Sequence, residues 1–112
     1  MTFLPKDSND QPIPALRLKD GGAHTISAES SAAVNATPFD VKTRIISVYA
    51  SVPVYLKFGA SDTVSATSAD HYFPNGVYYD VAIGGDQTAH TPYISVLRAG
   101  DTDGDVYISE KI

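Results

Sequence analysis

The sequence predicts an all-β, single-domain antiparallel β-sandwich, jelly-roll-like, with seven or eight strands and an extended N-terminal arm. Three observations carry that prediction. From Ile46 to Phe58 every second residue is apolar: Ile46, Val48, Ala50, Val52, Val54, Leu56 and Phe58. Side chains of a strand alternate between faces, whereas a helical period of 3.6 would scatter these seven around the axis. Turn-forming residues recur every eight to twelve positions, the spacing of an antiparallel sandwich or barrel. Finally, seven Tyr and four Phe against one Met and no Trp suit pleated, half-buried surfaces better than helices.

Taken in order, residues 1–14 hold Pro5, Pro12, Pro14 and the polar run from Lys6 to Gln11. Proline blocks ladder donation and helix entry, so this stretch reads as an extended arm. It is either a frayed terminus or a partner-binding element, and Phe3, Leu4, Pro5, Pro12, Ile13 and Pro14 are its candidate contact residues. The sandwich domain then occupies residues 15–112. Ala15–Lys19 reads as a short strand ended by Asp20-Gly21-Gly22, and Ala23–Ala28 as a second strand across that turn. Glu29–Thr37, rich in Ser and Ala, fits a loop or a weak strand around Ala33-Val34-Asn35, with a brief helix as the lesser option. Pro38-Phe39-Asp40 is a break.

The central alternation contains Pro53, which has no amide proton for a ladder. Two strands are therefore expected, joined at a corner or bulge near Ser51-Val52-Pro53. Gly59–Asp70 is small and polar, hence a long exposed loop. His71–Phe73 is short and extended, and Pro74-Asn75-Gly76 is a turn. Val77–Ile83 alternates again, with Val77, Tyr79, Val81 and Ile83 on one face. Tyr93–Arg98 and Asp105–Glu110 complete the set, with Asp101–Asp105 expected as a hairpin loop carrying an Asp-Gly signal.

A chain of 112 residues supports one core, and 43% hydrophobic with 19% charged residues fits an ordered globular domain. The net charge of −5, with eight basic residues scattered singly, argues against nucleic acid and anionic membranes as partners. Absence of cysteine excludes disulfides and thiolate chemistry. The N-terminus has no apolar run of signal-peptide length and no later stretch approaches a membrane span, so manufacture in a cytoplasm is expected.

Nothing in the sequence points to a reaction centre or a cofactor. Asp101, Asp103, Asp105 and Glu110 are the first place to look for calcium. An EF-hand loop, however, carries its glycine at the sixth position, and Gly104 is fourth here with no flanking helices. His24, His71 and His90 lack metal-ligand spacing. Asp70-His71 near Ser65 or Ser68 has the ingredients of a triad without a nucleophile turn or oxyanion hole. The tyrosines carry more weight. Tyr49, Tyr55, Tyr78 and Tyr107 fall opposite the aliphatic positions, either as cross-strand pairs on a half-exposed face or as a subunit interface.

Val54-Tyr-Leu-Lys-Phe-Gly59, the polar loop after it and Tyr72-Phe-Pro-Asn-Gly-Val77 together resemble small β-sandwich virion proteins of tailed bacteriophages. In that group a Tyr-(Leu/Val)-x-Phe-Gly strand precedes a polar loop and a (Phe/Leu)-Pro-x-Gly-Val turn. A late Val-Tyr-Ile-(Ser/Thr)-Glu strand follows, here Val106-Tyr-Ile-Ser-Glu110. The resemblance covers Arg44–Ile112. It implies a non-enzymatic virion protein made in the host bacterial cytoplasm: a capsid decoration (cement) subunit, or otherwise a head-fibre or spike base, a neck or a tail component. The implied partners are the major capsid protein or other virion proteins, and further copies of the chain, with a trimer favoured. A glycan-binding sandwich module is the alternative from another class.

Overall fold

The computed structural model describes residues 4–12, 15–85 and 87–112, and it is all-β. Its eight strands are β1 (Leu18–Ala28), β2 (Ala33–Val34), β3 (Ile45–Ala50), β4 (Val54–Gly59), β5 (His71–Phe73), β6 (Tyr78–Ala82), β7 (Tyr93–Arg98) and β8 (Gly104–Lys111). They form two four-stranded antiparallel sheets, ordered β1-β8-β3-β6 (sheet one) and β2-β7-β4-β5 (sheet two). Only β4 and β5 are both consecutive in the chain and in one sheet. Every other connection crosses between the sheets, which is the strand order of an eight-stranded jelly roll.

The long alternating run explains how the two sheets share one core. The chain leaves β3 at Ser51, turns through Val52 and Pro53, and enters β4 in the opposite sheet. Three backbone bonds hold the corner: Gly76 N–H to Ala50 O (3.0 Å), Ser51 N–H to Asp105 O (2.9 Å) and Ala99 N–H to Pro53 O (2.9 Å). Because the apolar register survives the corner, Ile46, Val48 and Ala50 face Val54 and Leu56 across the interior, and all five are buried. Ile26, Phe39, Phe73, Ile83, Ile94, Val96, Val106 and Ile108 join them in one cluster, with Val52 and Phe58 packed at its margin. Each large buried side chain contributes about 1.5–3 kcal/mol.

Two sequence expectations are corrected. Ala15–Lys19 and Ala23–Ala28 are not two strands across a turn. Ala15–Arg17 precede any strand, and Leu18 and Lys19 run on with Ala23–Ala28 as one strand, β1, with an irregularity: Leu18 pairs with Lys111 and Ala23 with Ser109, so the residues between them bulge out of the ladder. Gly21 takes a left-handed φ of 71° there, as a bulge with extra residues requires. Leu18, at the start of β1, is 60% exposed. Nor is Asp101–Asp105 a hairpin loop. β7 pairs with β2 and β4, and β8 with β1 and β3, so this loop carries the chain from one sheet to the other.

The weak strand around Ala33-Val34 exists as β2, and Asn35 after it is buried as a bridge between segments. Its side-chain amide donates to Thr37 O (2.7 Å) and Pro92 O (3.1 Å), and its oxygen accepts from Ile94 N–H (2.9 Å). The 60–70 loop is largely exposed, but Ala66 is buried and its N–H donates to Ser95 Oγ at 2.8 Å.

Candidate functional site

Sheet one presents its outer face to solvent. The register aligns Tyr78 of β6 with Tyr49 of β3, Tyr49 with Tyr107 of β8, and Tyr107 with Thr25 of β1. Three tyrosines thus form a band across neighbouring strands, 60%, 39% and 48% exposed in that order. The Tyr49 and Tyr107 rings lie 6.5 Å apart and tilted by 35°. The adjacent row is Asp80, Ser47, Ser109 and Ala23, so small polar side chains flank the aromatic band. Lys111 closes that side: its ammonium bonds Asp80 at 2.8 Å and sits 4.9 Å from the centre of the Tyr78 ring. Burial opposes the charge of Lys111, yet hydrogen bonding to Asp80 and Tyr78 outweighs it and raises the ammonium pKa. Rigid aromatic area beside small polar groups is the chemistry of a protein-docking surface.

Of the predicted contact tyrosines, Tyr49 and Tyr78 share this face and Tyr55 does not. The corner at Ser51–Pro53 carries β4 into sheet two, where Tyr55 pairs with Tyr72 at a ring separation of 5.9 Å. Leu4, Pro5 and Pro12 are all exposed. Their arm folds back between Lys6 and Pro12 in a small loop held by Asp7: its N–H donates to Gln11 O, and its carboxylate accepts from Asn9 and Gln11 N–H. Phe3, Ile13 and Pro14 lie outside the described residues.

A second cluster went unread in the sequence. Glu110 is 3% exposed, and its carboxylate accepts three bonds: from His24 Nε2 (2.8 Å), Asp40 N–H (2.9 Å) and Thr43 Oγ1 (2.6 Å). The His24 ring stands edge-on to buried Phe39, with centres 4.9 Å apart. Burial pushes the Glu110 carboxyl upward, but the three donors outweigh it and hold the pKa below the ordinary glutamate value. The β1 bulge shapes this place: a Cβ on Gly22 would stand 3.0 Å from Glu110 Cβ. Outside the clasp opens a pocket of about 310 Å³ lined by Lys19, Gly21, Thr37, Pro38 and Asp40 with His24 and Glu110. The available signal was alternation. Glu110 shares a face with Val106 and Ile108, and His24 with Ile26 and Ala28, and a carboxylate on an apolar face needs partners. A carboxylate that accepts from three donors ties β1, β8 and the loop before β3 together.

Of the remaining polar candidates, Asp70, Asp103 and Asp105 are committed to local structure, while His90 Nε2 is buried without a hydrogen-bond partner among the described residues. Asp70 accepts from Thr67 N–H (2.7 Å) and Thr67 Oγ1 (3.1 Å), which lowers its pKa and fastens a turn beside exposed His71. Asp103 pairs with Arg98, and the Asp105 backbone bonds Ser51. Among the described residues, no three His, Cys, Asp or Glu side chains gather as a metal-binding group.

The fold and site define a jelly roll with an aromatic band on one outer sheet and a buried carboxylate clasp at its side. No protein-family model, curated protein or solved structure matches the chain.

Proposed function

We propose that this protein is a non-enzymatic assembly subunit, a decoration protein of a tailed-phage head, which docks on the capsid lattice through the outer face of sheet one. The observation that carries docking is the cross-strand band Tyr78–Tyr49–Tyr107, set among small polar side chains. The virion setting rests on the resemblance of Val54–Gly59, Tyr72–Val77 and Val106–Glu110 to phage sandwich proteins. The jelly-roll strand order supports it by analogy alone, because that order also serves lectins and cupins.

In this reading a rigid sandwich spans neighbouring capsid subunits, and many copies add up to resist the outward pressure of packaged DNA. The exposed arm around Leu4, Pro5 and Pro12 is the second contact, able to add an edge strand to a partner. The test is co-sedimentation with purified capsids. Tyr49→Lys with Tyr107→Lys, and separately deletion of residues 1–11, are each expected to reduce binding strongly without loss of fold. Undiminished binding by the tyrosine variant would remove the face from the mechanism. The same band also suits the apolar faces of sugar rings, so a glycan array on the intact protein distinguishes the lectin-like reading.

A further inference from the structure

A jelly roll of two open sheets has four edge strands, and three of these edges are guarded. β1 carries the Asp20–Gly22 bulge, β2 has two residues and β5 three. Bulges and short strands are two of the ways natural sheets prevent edge pairing. The edge β6 has five regular residues, Tyr-Tyr-Asp-Val-Ala, without bulge, proline or lysine. Its only ladder partner among the described residues is β3.

The core side of β6 is also incompletely covered. Tyr79 is the register partner of fully buried Val48, so it lies on the inward face, yet it is 59% exposed. Val77, on the same face by alternation, is 41% exposed, and Val81 is only partly covered. An unguarded edge beside a row of exposed apolar side chains invites another strand.

We propose that two copies of this chain pair β6 to β6, antiparallel, about a two-fold axis through Tyr79, joining their first sheets into one continuous sheet. The register follows from the side chains. With the axis at Tyr79, Tyr79 meets Tyr79 and Val77 meets Val81 on the core side, while Tyr78 meets Asp80 on the outer side. Moving the axis to Asp80 would set two carboxylates opposite each other, a destabilising like-charge pair. Moving it to Tyr78 would run the ladder into the turn at Gly76, whose φ is 77°. The chosen register opposes no like charges and is self-complementary, as a two-fold contact requires. It is independent of the capsid reading, and it differs from the three-fold assembly implied by the resemblance.

A residue on a two-fold axis meets itself, and that makes the contact testable. Sedimentation velocity from micromolar to millimolar concentration should show a monomer passing to a dimer. Tyr79→Lys, an exposed change placing two ammonium groups face to face, should raise the dimer dissociation constant at least about tenfold. The chain has no cysteine, so Tyr79→Cys reports directly. Directly opposed antiparallel residues stand about 4.5–5.5 Å apart at Cα, within disulfide reach. Mild oxidation should give a covalent dimer well before Tyr72→Cys, equally exposed on β5. A chain that stays monomeric at millimolar concentration overturns the proposal. So does a trimer, or equal cross-linking by the two cysteine variants.

Discussion

Replacing Glu110 by alanine tests the clasp most directly. The change strands three donors in a poorly hydrated place: His24 Nε2, the Asp40 N–H and the Thr43 hydroxyl. Removing one member of a buried polar pair costs about 3–5 kcal/mol, and each unpaired buried donor about 1–3. The neighbouring pocket admits water to some of these groups, which places the expected loss near the lower end, about 3 kcal/mol. Against a total stability of about 5–15 kcal/mol, that lowers the melting temperature by roughly 10–15 °C. Urea denaturation followed by circular dichroism should show the midpoint falling with little change in slope. Glu110→Gln keeps an oxygen for Asp40 and Thr43 and should cost about half as much. Asp80→Asn, which breaks the surface pair with Lys111, should stay within about 1 kcal/mol. A Glu110→Ala loss no larger than that of Asp80→Asn would refute the clasp as a stabilising element.

The same group sets an acid dependence. Folded Glu110 has a lowered pKa, so its ionised form contributes full stability above the unfolded value of about 4.3. That contribution falls away as pH drops through the lower folded value. The stability difference between the wild type and Glu110→Gln should therefore shrink below about pH 4.3. Subtracting the two curves matters because Asp40 and Asp70, also lowered, add to the same acid slope.

Three further outcomes are expected. Gly104→Ala places a Cβ 2.6 Å from Ser51 Oγ and 2.7 Å from both Val52 methyls, and should cost about 1–3 kcal/mol in denaturant titration. Asn35→Ala leaves two carbonyls and the Ile94 N–H without their partner and should cost about 2–4 kcal/mol by the same measurement. Deleting residues 1–11 removes, in residues 4–11, exposed side chains whose hydrogen bonds stay within the arm, so the melting temperature should hold, with a change within about 0.5 kcal/mol.

What the sequence disclosed was the faces. Seven alternating apolar residues identified the inward side of β3 and β4, and Pro53 located the corner. They could not identify neighbours, because alternation says which way a side chain points and nothing about the strand beside it. The Asp103-Gly104 dipeptide shows the consequence. As a local signal it favours a tight hairpin, but Gly104 serves a tertiary need: the Ser51–Val52 corner passes so close that no Cβ fits. Glycine tolerates both demands, and the sequence does not say which one it answers.

The clasp illustrates the same limit at the level of the site. Glu110 and His24 each stand on an apolar face in the sequence, and either alone would be a costly burial. The cost disappears only because the jelly-roll order sets β8 beside β1, bringing together residues 86 positions apart. Phe39 then closes over the His24 ring, and the loop behind it supplies Asp40 N–H and Thr43. The misplaced polar residues were therefore visible one at a time, while their compensation belonged to a topology that no local pattern encodes. In a fold whose consecutive strands almost all cross between sheets, an ionisable residue out of place on an apolar face is the most informative pointer to an unseen neighbour.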